Sequence, residues 1–363
     1  MSSALSIAPS QRFEGNDGAW STFNLYVGTP PQMLRVLPAT SISYVTLIMR
    51  TGCVNVPVSA CESARGGSPL LFNFSTSLTS SRLSALDGSR NFFLPFDSEL
   101  PLGVFGMIPA AVGLDAVTIG PSVSNLTLTS QLVAGINAVD PWQGMFGLRS
   151  IMNHVPGLDS NYTSILQGLK SADKIPSLFY GYTAGAPYTD RQDFGSLTLG
   201  GYDAARVDMS AALSVNFSDD PFELSVLVDR IKISNGNITH ISMGNVALVD
   251  SVIPEIWLPG SVCDQIENAI GLVYDNTTQM YLISESQQRV LRSTNLTFTF
   301  TLRSPQNPSA MIDIVLPYAA FDLSASYPVA GMKNASSTQR YFPIRRANST
   351  TGYYLGRTFL QEA

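Results

Sequence analysis

Residues 28–41 read GTPPQMLRVLPATS, and residues 247–264 read ALVDSVIPEIWLPGSVCD. Each stretch brings a strand to a short polar triplet, and that arrangement decides the fold. Ahead of the first, Trp20 to Val27 (WSTFNLYV) alternates apolar and polar side chains as a half-buried strand does, and Gly28-Thr29-Pro30-Pro31 supplies a turn. Strand patterns over Gln32 to Leu37 and Ser43 to Met49 then flank the triplet Ala39-Thr40-Ser41. In the second half, strand patterns over Leu224 to Ile233 and Asn245 to Asp250 lead into Val249-Asp250-Ser251-Val252, followed by Ile256-Trp257-Leu258-Pro259.

Further strings continue the pattern in order: Gly144-Met145-Phe146-Gly147-Leu148, then Leu199-Gly200-Gly201-Tyr202-Asp203, then Tyr353 to Leu360 (YYLGRTFL). Together with GTPPQ and the Asp250 motif, this set resembles the pepsin-like aspartic protease family (peptidase A1 domain) over residues 18–360, and its wording is most similar to a fungal branch. The resemblance implies a mostly β, bilobal fold: two β-rich lobes with a few short helices and a central interlobe cleft. Residues 1–12 are polar and small and are expected as a disordered lead-in; the resemblance places an N-terminal lobe at 13–205 and a C-terminal lobe at 206–363, the latter expected to stop short of the family's last strands.

The same resemblance implies a catalytic pair, one aspartate from each lobe about 3 Å apart and sharing a proton, so that one activates water while the other protonates the carbonyl. Asp250 stands at one of these positions and Ala39 at the other, and alanine can do neither job. Both glycines of the family triplets are replaced as well, by Ser41 and Val252, so Thr40, Ser41, Ser251 and Val252 line a remodelled cleft. The segment Glu99 to Gly120 occupies the place of the family's flap, yet no tyrosine occurs between Tyr44 and Tyr162. A remnant catalytic acid is one reading of Asp250. A carboxylate kept because it bonds neighbouring backbone N–H groups is the other, and in either case it titrates as a single acid.

Composition narrows the setting. Only 13% of the 363 residues are charged, about half the usual fraction. The net charge of −6 and a pI near 4.9 argue against a nucleic-acid partner, whose phosphates attract a basic surface. Nine Asn-X-Ser/Thr sites begin at Asn73, Asn125, Asn161, Asn216, Asn237, Asn276, Asn295, Asn334 and Asn348, against about four expected by chance. They indicate a glycoprotein of the secretory route, secreted or at the cell surface. The resemblance implies a small disulfide loop between Cys53 and Cys61, and an oxidising compartment allows it. Cys263 is left over on an expected helix, as a buried thiol or an intermolecular bridge. His154 and His240 with three cysteines at these spacings form no metal site, so neither metal nor cofactor is expected. The longest apolar stretch, Val104 to Ile119, is broken by Pro109 and Asp115 and is too short to span a bilayer; a membrane anchor would lie beyond the ends of this chain.

Helices are expected over Tyr162 to Ser171, capped by Asp159 to Asn161, and over Ser261 to Ile270, with Ser261 and Asp264 as a capping box and Gly271 as the stop. LTFTFTL, residues 296–302, alternates as a strand and Met311 to Pro317 forms another. No G-x-S-x-G, no histidine in a recognisable triad and no phosphate-cradling loop occurs, while a glycosidase pair of carboxylates has no positive support. The sequence thus leads to a non-catalytic pepsin-like domain binding a peptide, glycan or protein partner. The competing reading is an acid aspartic endopeptidase with a rearranged site using Asp250, and a third is a surface glycoprotein whose fold only carries sugars.

Overall fold

The computed structural model describes residues 2–85, 92–95, 107–120, 126–152, 155, 158, 161–216, 224–304, 306, 307, 309–347 and 352–363. The chain divides into two compact units, one made of Met1–Gly15, Ala19–Tyr182 and Phe194–Asp203, the other of Asn16–Gly18, Thr183–Asp193 and Ala204–Ala363.

The first unit is built on a sheet whose strands run Pro9–Glu14, Trp20–Val27, Gln32–Ala39, Gly144–Gly147, Val45–Ile48, Thr127–Ile136, Met107–Ile119 and Ser81–Arg82, with Phe92–Pro95 pairing to Met107–Ile119. The alternation in WSTFNLYV buries Phe23, Leu25 and Val27 in the core. Its turn depends on Gly28, at φ +88°, because a Cβ there would meet Oγ of Ser77 at 2.7 Å. That hydroxyl accepts from Thr29 N and donates to the buried carboxylate of Asp115. The second unit has a seven-stranded sheet in the order Met311–Pro317, Thr297–Arg303, Ser225–Ser234, Ile238–Val249, Tyr354–Leu355, Ile256–Pro259 and Ile344–Ala347. Its core is aromatic, with Phe321 stacked on Phe342 at 4.7 Å and Phe298 tilted against Phe321 at 4.8 Å.

The two units repeat one motif. In the first, Gln32–Ala39 runs parallel to Gly144–Gly147 with Ala39 opposite Gly147, and Val45 pairs antiparallel with Phe146. In the second, Val249 lies parallel to Leu355 and Ile256 antiparallel to the same residue. A strand, a loop and a return strand therefore clasp a short third strand in each unit. The glycine ending that third strand has no room for a side chain. A Cβ on Gly147 would lie 2.5 Å from the Tyr44 carbonyl oxygen, and one on Gly356 would press still harder on the Glu255 carbonyl oxygen.

Several expectations require correction. Residues 1–12, expected as a disordered lead-in, contain strand Leu5–Ile7 and most of the described Pro9–Glu14. The reason is pairing: Leu5 and Ile7 lie opposite Leu199 and Leu197, Phe13 stacks on Phe194 at 4.6 Å, and Glu14 forms an ion pair with the buried Arg35 at 2.7 Å. The first of the two expected helices spans Ile165–Ser171 and is capped by Ser164, which forms a capping box with Gln167 in place of the expected Asp159 to Asn161. The next spans Gly260–Ile270 without a side-chain cap, since Asp264 is engaged by Arg346 at 2.5 Å; Gly271 ends it at φ +73°. Helix Glu285–Ser293 was not foreseen, although Ser284 and Gln287 carry its start signal. In Thr297–Arg303, Thr299 and Thr301 are buried along with the phenylalanines, and Thr301 donates to Asp313 at 2.6 Å. The part of the flap segment over 99–106 lies outside the described residues, and 107–119 is one strand.

The close approach at the two glycines yields a test. Gly147→Ala and Gly356→Ala are each expected to cost about 3 kcal/mol, because the new methyl meets backbone that cannot step aside. Gly260→Ala, whose methyl would meet only Nη1 of Arg346 at 3.7 Å, is expected to stay within about 0.5 kcal/mol. Denaturant unfolding of the three variants measures the difference.

Candidate functional site

The loop after Gln32–Ala39 is built from backbone hydrogen bonds. Leu148 N donates to Ala39 O at 2.8 Å, Arg149 N to Ile42 O at 2.9 Å, and Gly147 N to Tyr44 O at 3.2 Å. Ala39 and Thr40 are buried there, while Ser41 is exposed. These backbone bonds hold the loop with alanine at position 39.

The corresponding loop of the second unit starts at Asp250, whose N–H donates to Leu355 O at 3.1 Å. Its side chain is 3% exposed, and Oδ1 accepts from Val252 N at 2.9 Å. A carboxylate bonding the N–H two residues on makes a local turn of its own, which is the structural role weighed for Asp250 in the sequence. Ser251 is fully buried and Val252 half-buried. Neither Ser41 nor Val252 adopts a positive φ, so glycine is not needed for backbone freedom at either place. Losing those glycines therefore reshapes the surface of the loops and leaves their path intact.

Beneath the Asp250 loop lies a cluster of polar side chains. Arg357, 2% exposed, donates from Nη1 to the carbonyl oxygens of Ser251 at 3.0 Å and Val252 at 2.6 Å, and from Nη2 to Asp17 Oδ2 at 2.8 Å. Asp17 sits in the three-residue segment Asn16–Gly18 between Gly15 and Gly18, both at φ values that favour glycine. Its carbonyl oxygen accepts from the buried Tyr341 hydroxyl, and Ser326 N donates to Asn16 O at 2.7 Å. Thr358 Oγ1 donates to Pro254 O at 2.7 Å. Glu255, 3% exposed, accepts from Trp257 Nε1 at 3.2 Å. Burial pushes the Glu255 carboxyl above the usual carboxylate range, with Arg345 opposing the rise most strongly among its neighbours. The Arg345 guanidinium stacks over the Trp257 ring at 4.6 Å.

By register, Glu255 and Arg357 occupy the places held by Tyr44 and Leu148 in the first unit. None of Asp17, Glu255 and Arg357 was singled out from the sequence. The available signals were a glutamate inside the apolar run IPEIW and an arginine directly after Leu355-Gly356.

Cys53 and Cys61 form a disulfide. Cys263 is a buried thiol on helix Gly260–Ile270, pushed by burial up to about 12. Among the described residues no group of three or more His, Cys, Asp or Glu could hold a metal ion, and no helix is long and apolar enough to cross a membrane. His154 lies outside the described residues. Of the sequon asparagines, Asn125 and Asn348 also lie outside them; Asn161, Asn216, Asn237, Asn276, Asn295 and Asn334 are exposed, and Asn73 is half-buried with its side-chain oxygen accepting from Ser75 N.

Residues 22–363 match the family model described as eukaryotic aspartyl protease. Among solved structures, the chain is similar to an aspartic proteinase from Irpex lacteus, at 17% identity and a TM-score of 0.60, over 99% of this chain and 92% of that one. At that identity the likeness is one of fold. No curated protein matches the sequence.

Two outcomes follow from the polar cluster. Arg357→Met leaves Asp17 and two loop carbonyls without their donor and is expected to cost about 3–5 kcal/mol; paired with Asp17→Asn, the two losses should add to less than their sum in a double-mutant cycle. Glu255 binds its proton more tightly folded than unfolded, so its contribution is most favourable below the unfolded pKa and falls as pH rises through the folded one. Glu255→Gln, which keeps an acceptor for Trp257, should raise Tm at about pH 7 and leave it unchanged at about pH 4.

Proposed function

Because the chain belongs to the eukaryotic aspartyl protease family while Ala39 stands where the family resemblance calls for the first aspartate, we propose that it is a non-catalytic member. On this reading it is a secreted or cell-surface glycoprotein domain that binds a peptide, glycan or protein partner. The observation that carries the proposal is the register of Ala39. It sits opposite Gly147 in the motif that places Asp250 beside Leu355 and Gly356 in the other unit. The position is thus matched by backbone geometry as well as by sequence order, and it holds a methyl group. A catalytic pair deprived of one member loses most of its rate.

Asp250 supports the same reading from the other side. Its Oδ1 accepts the Val252 N–H, which accounts for keeping a carboxylate without assigning it chemistry. The secretory setting rests on the nine sequons together with the low charged fraction. The second reading, an acid endopeptidase using Asp250 with another acid, draws on family membership and on the buried, ordered loop that presents Asp250.

Hydrolysis of a peptide library and of denatured protein, from roughly pH 2.5 to 6.5 where a carboxylate pair works, separates the two. Purified glycosylated protein and its Asp250→Ala variant, both verified as folded by circular dichroism, are expected to leave the substrates intact. Cleavage by the parent that disappears in Asp250→Ala would overturn the non-catalytic assignment in favour of the endopeptidase.

A further inference from the structure

A cavity of about 470 Å³ opens in the second unit where helix Glu285–Ser293 hands over to strand Thr297–Arg303. Its volume is that of a small-molecule site. Tyr188, Leu296, Pro317 and Tyr318 supply apolar and aromatic wall, with Arg292 and Asn295 among the polar lining. Most of the charge nearby is already committed. Asp322 accepts from Gln288, Arg292 and Arg340, and the Tyr188 hydroxyl donates to Glu362.

The Tyr318 hydroxyl and the Asn295 side chain are among the groups not committed. Tyr318 is 5% exposed, and its hydroxyl makes no hydrogen bond among the described residues. The Asn295 side chain likewise makes none among them; this residue is exposed and takes φ +47° just past the helix. A phenol on the cavity wall with no partner of its own has a donor to offer a ligand. Asn295 is also the first residue of the sequon Asn295-Leu296-Thr297, so the cavity has a modification acceptor in its own wall.

We propose that this cavity seats the core N-acetylglucosamine of a glycan carried on Asn295, so that the protein binds its own sugar. The inference rests on the glycoprotein reading given above. Attachment joins Asn295 Nδ2 to C1 of the sugar; the donor is a lipid diphosphate oligosaccharide, the lipid diphosphate leaves, and the displaced amide proton passes to solvent. A pyranose presents an apolar C–H face that suits a tyrosine ring, and its acetamido oxygen accepts from a phenol such as that of Tyr318. Leu296 and Pro317 offer apolar contact to the acetamido methyl. Asn237, in the turn between Ser225–Ser234 and Ile238–Val249, is exposed and is not part of this cavity's lining. It is the internal comparison.

Protein carrying high-mannose chains from a yeast secretory host is digested natively with an endoglycosidase that cuts within the chitobiose core, and each sequon is followed by glycopeptide mass spectrometry. The chain on Asn295 is expected to be present and to be cut about tenfold more slowly than that on Asn237. Unfolding should make the two rates equal. Tyr318→Phe, which removes only the hydroxyl, should bring the native rates together, and Thr297→Val, which abolishes the sequon but keeps a β-branched side chain, should lower Tm more than Thr239→Val does at the Asn237 sequon. Equal native rates would overturn the proposal. An unmodified Asn295 in protein glycosylated elsewhere would overturn it while leaving the glycoprotein reading standing, and a chain bare at every sequon would remove both.

Discussion

In each unit the backbone passes so close to itself at one glycine that no side chain fits. Gly147 faces the carbonyls of Ile42 and Tyr44, and Gly356 those of Ile253 and Glu255. This contact is what lets a short third strand lie parallel to one neighbour and antiparallel to the other. A short strand held on both sides fixes the loop between its two partners, and that loop carries Ala39 in one unit and Asp250 in the other. The positions of Ala39 and Asp250 are therefore set first by backbone contacts.

The two loops are supported differently. In the first unit the residue after the tight glycine is Leu148, fully buried in the apolar core. In the second it is Arg357, which must bring its own acceptors into the interior. A buried guanidinium is tolerated only when most of its donors are matched, and the Nη groups of Arg357 are met by two loop carbonyls and by Asp17 from a segment remote in sequence. Glu255 adds a second buried acid to the same neighbourhood, and the pressure on it to hold a proton is a consequence of burial. The second loop is thus tied to the N-terminal segment Asn16–Gly18 by an ion pair.

Much of the fold was legible because it is written in local patterns. WSTFNLYV, GTPPQ and the Met311–Pro317 strand announce themselves through alternation and turn chemistry, and the disulfide between Cys53 and Cys61 followed from the resemblance. What escaped was non-local. Leu5 and Ile7 form a strand only because Leu197 and Leu199 are there to receive them. Asp17 and Arg357 are separated by 340 residues, and no window of sequence brings them together. The helix caps were misplaced for a related reason: Asp264 satisfies the local rule for a capping box, but Arg346 competes for it from across the fold. Local rules decide where the chain turns, while side chains arriving from elsewhere decide which polar groups remain available.

Family likeness constrains these layers unequally. The features that the fold needs are present: the two tight glycines, the turn made by the Asp250 carboxylate, and the strand pairings on either side. Position 39 holds alanine, and backbone hydrogen bonds hold the loop around it. Replacing a side chain that bears no structural load costs the fold little. Fold says where a site would lie, and the residues in it say what it can do. Asp250 is the informative case, because its carboxylate has a structural role of its own. Its hydrogen bond to Val252 gives a reason for its presence that would hold even where no proton is ever transferred.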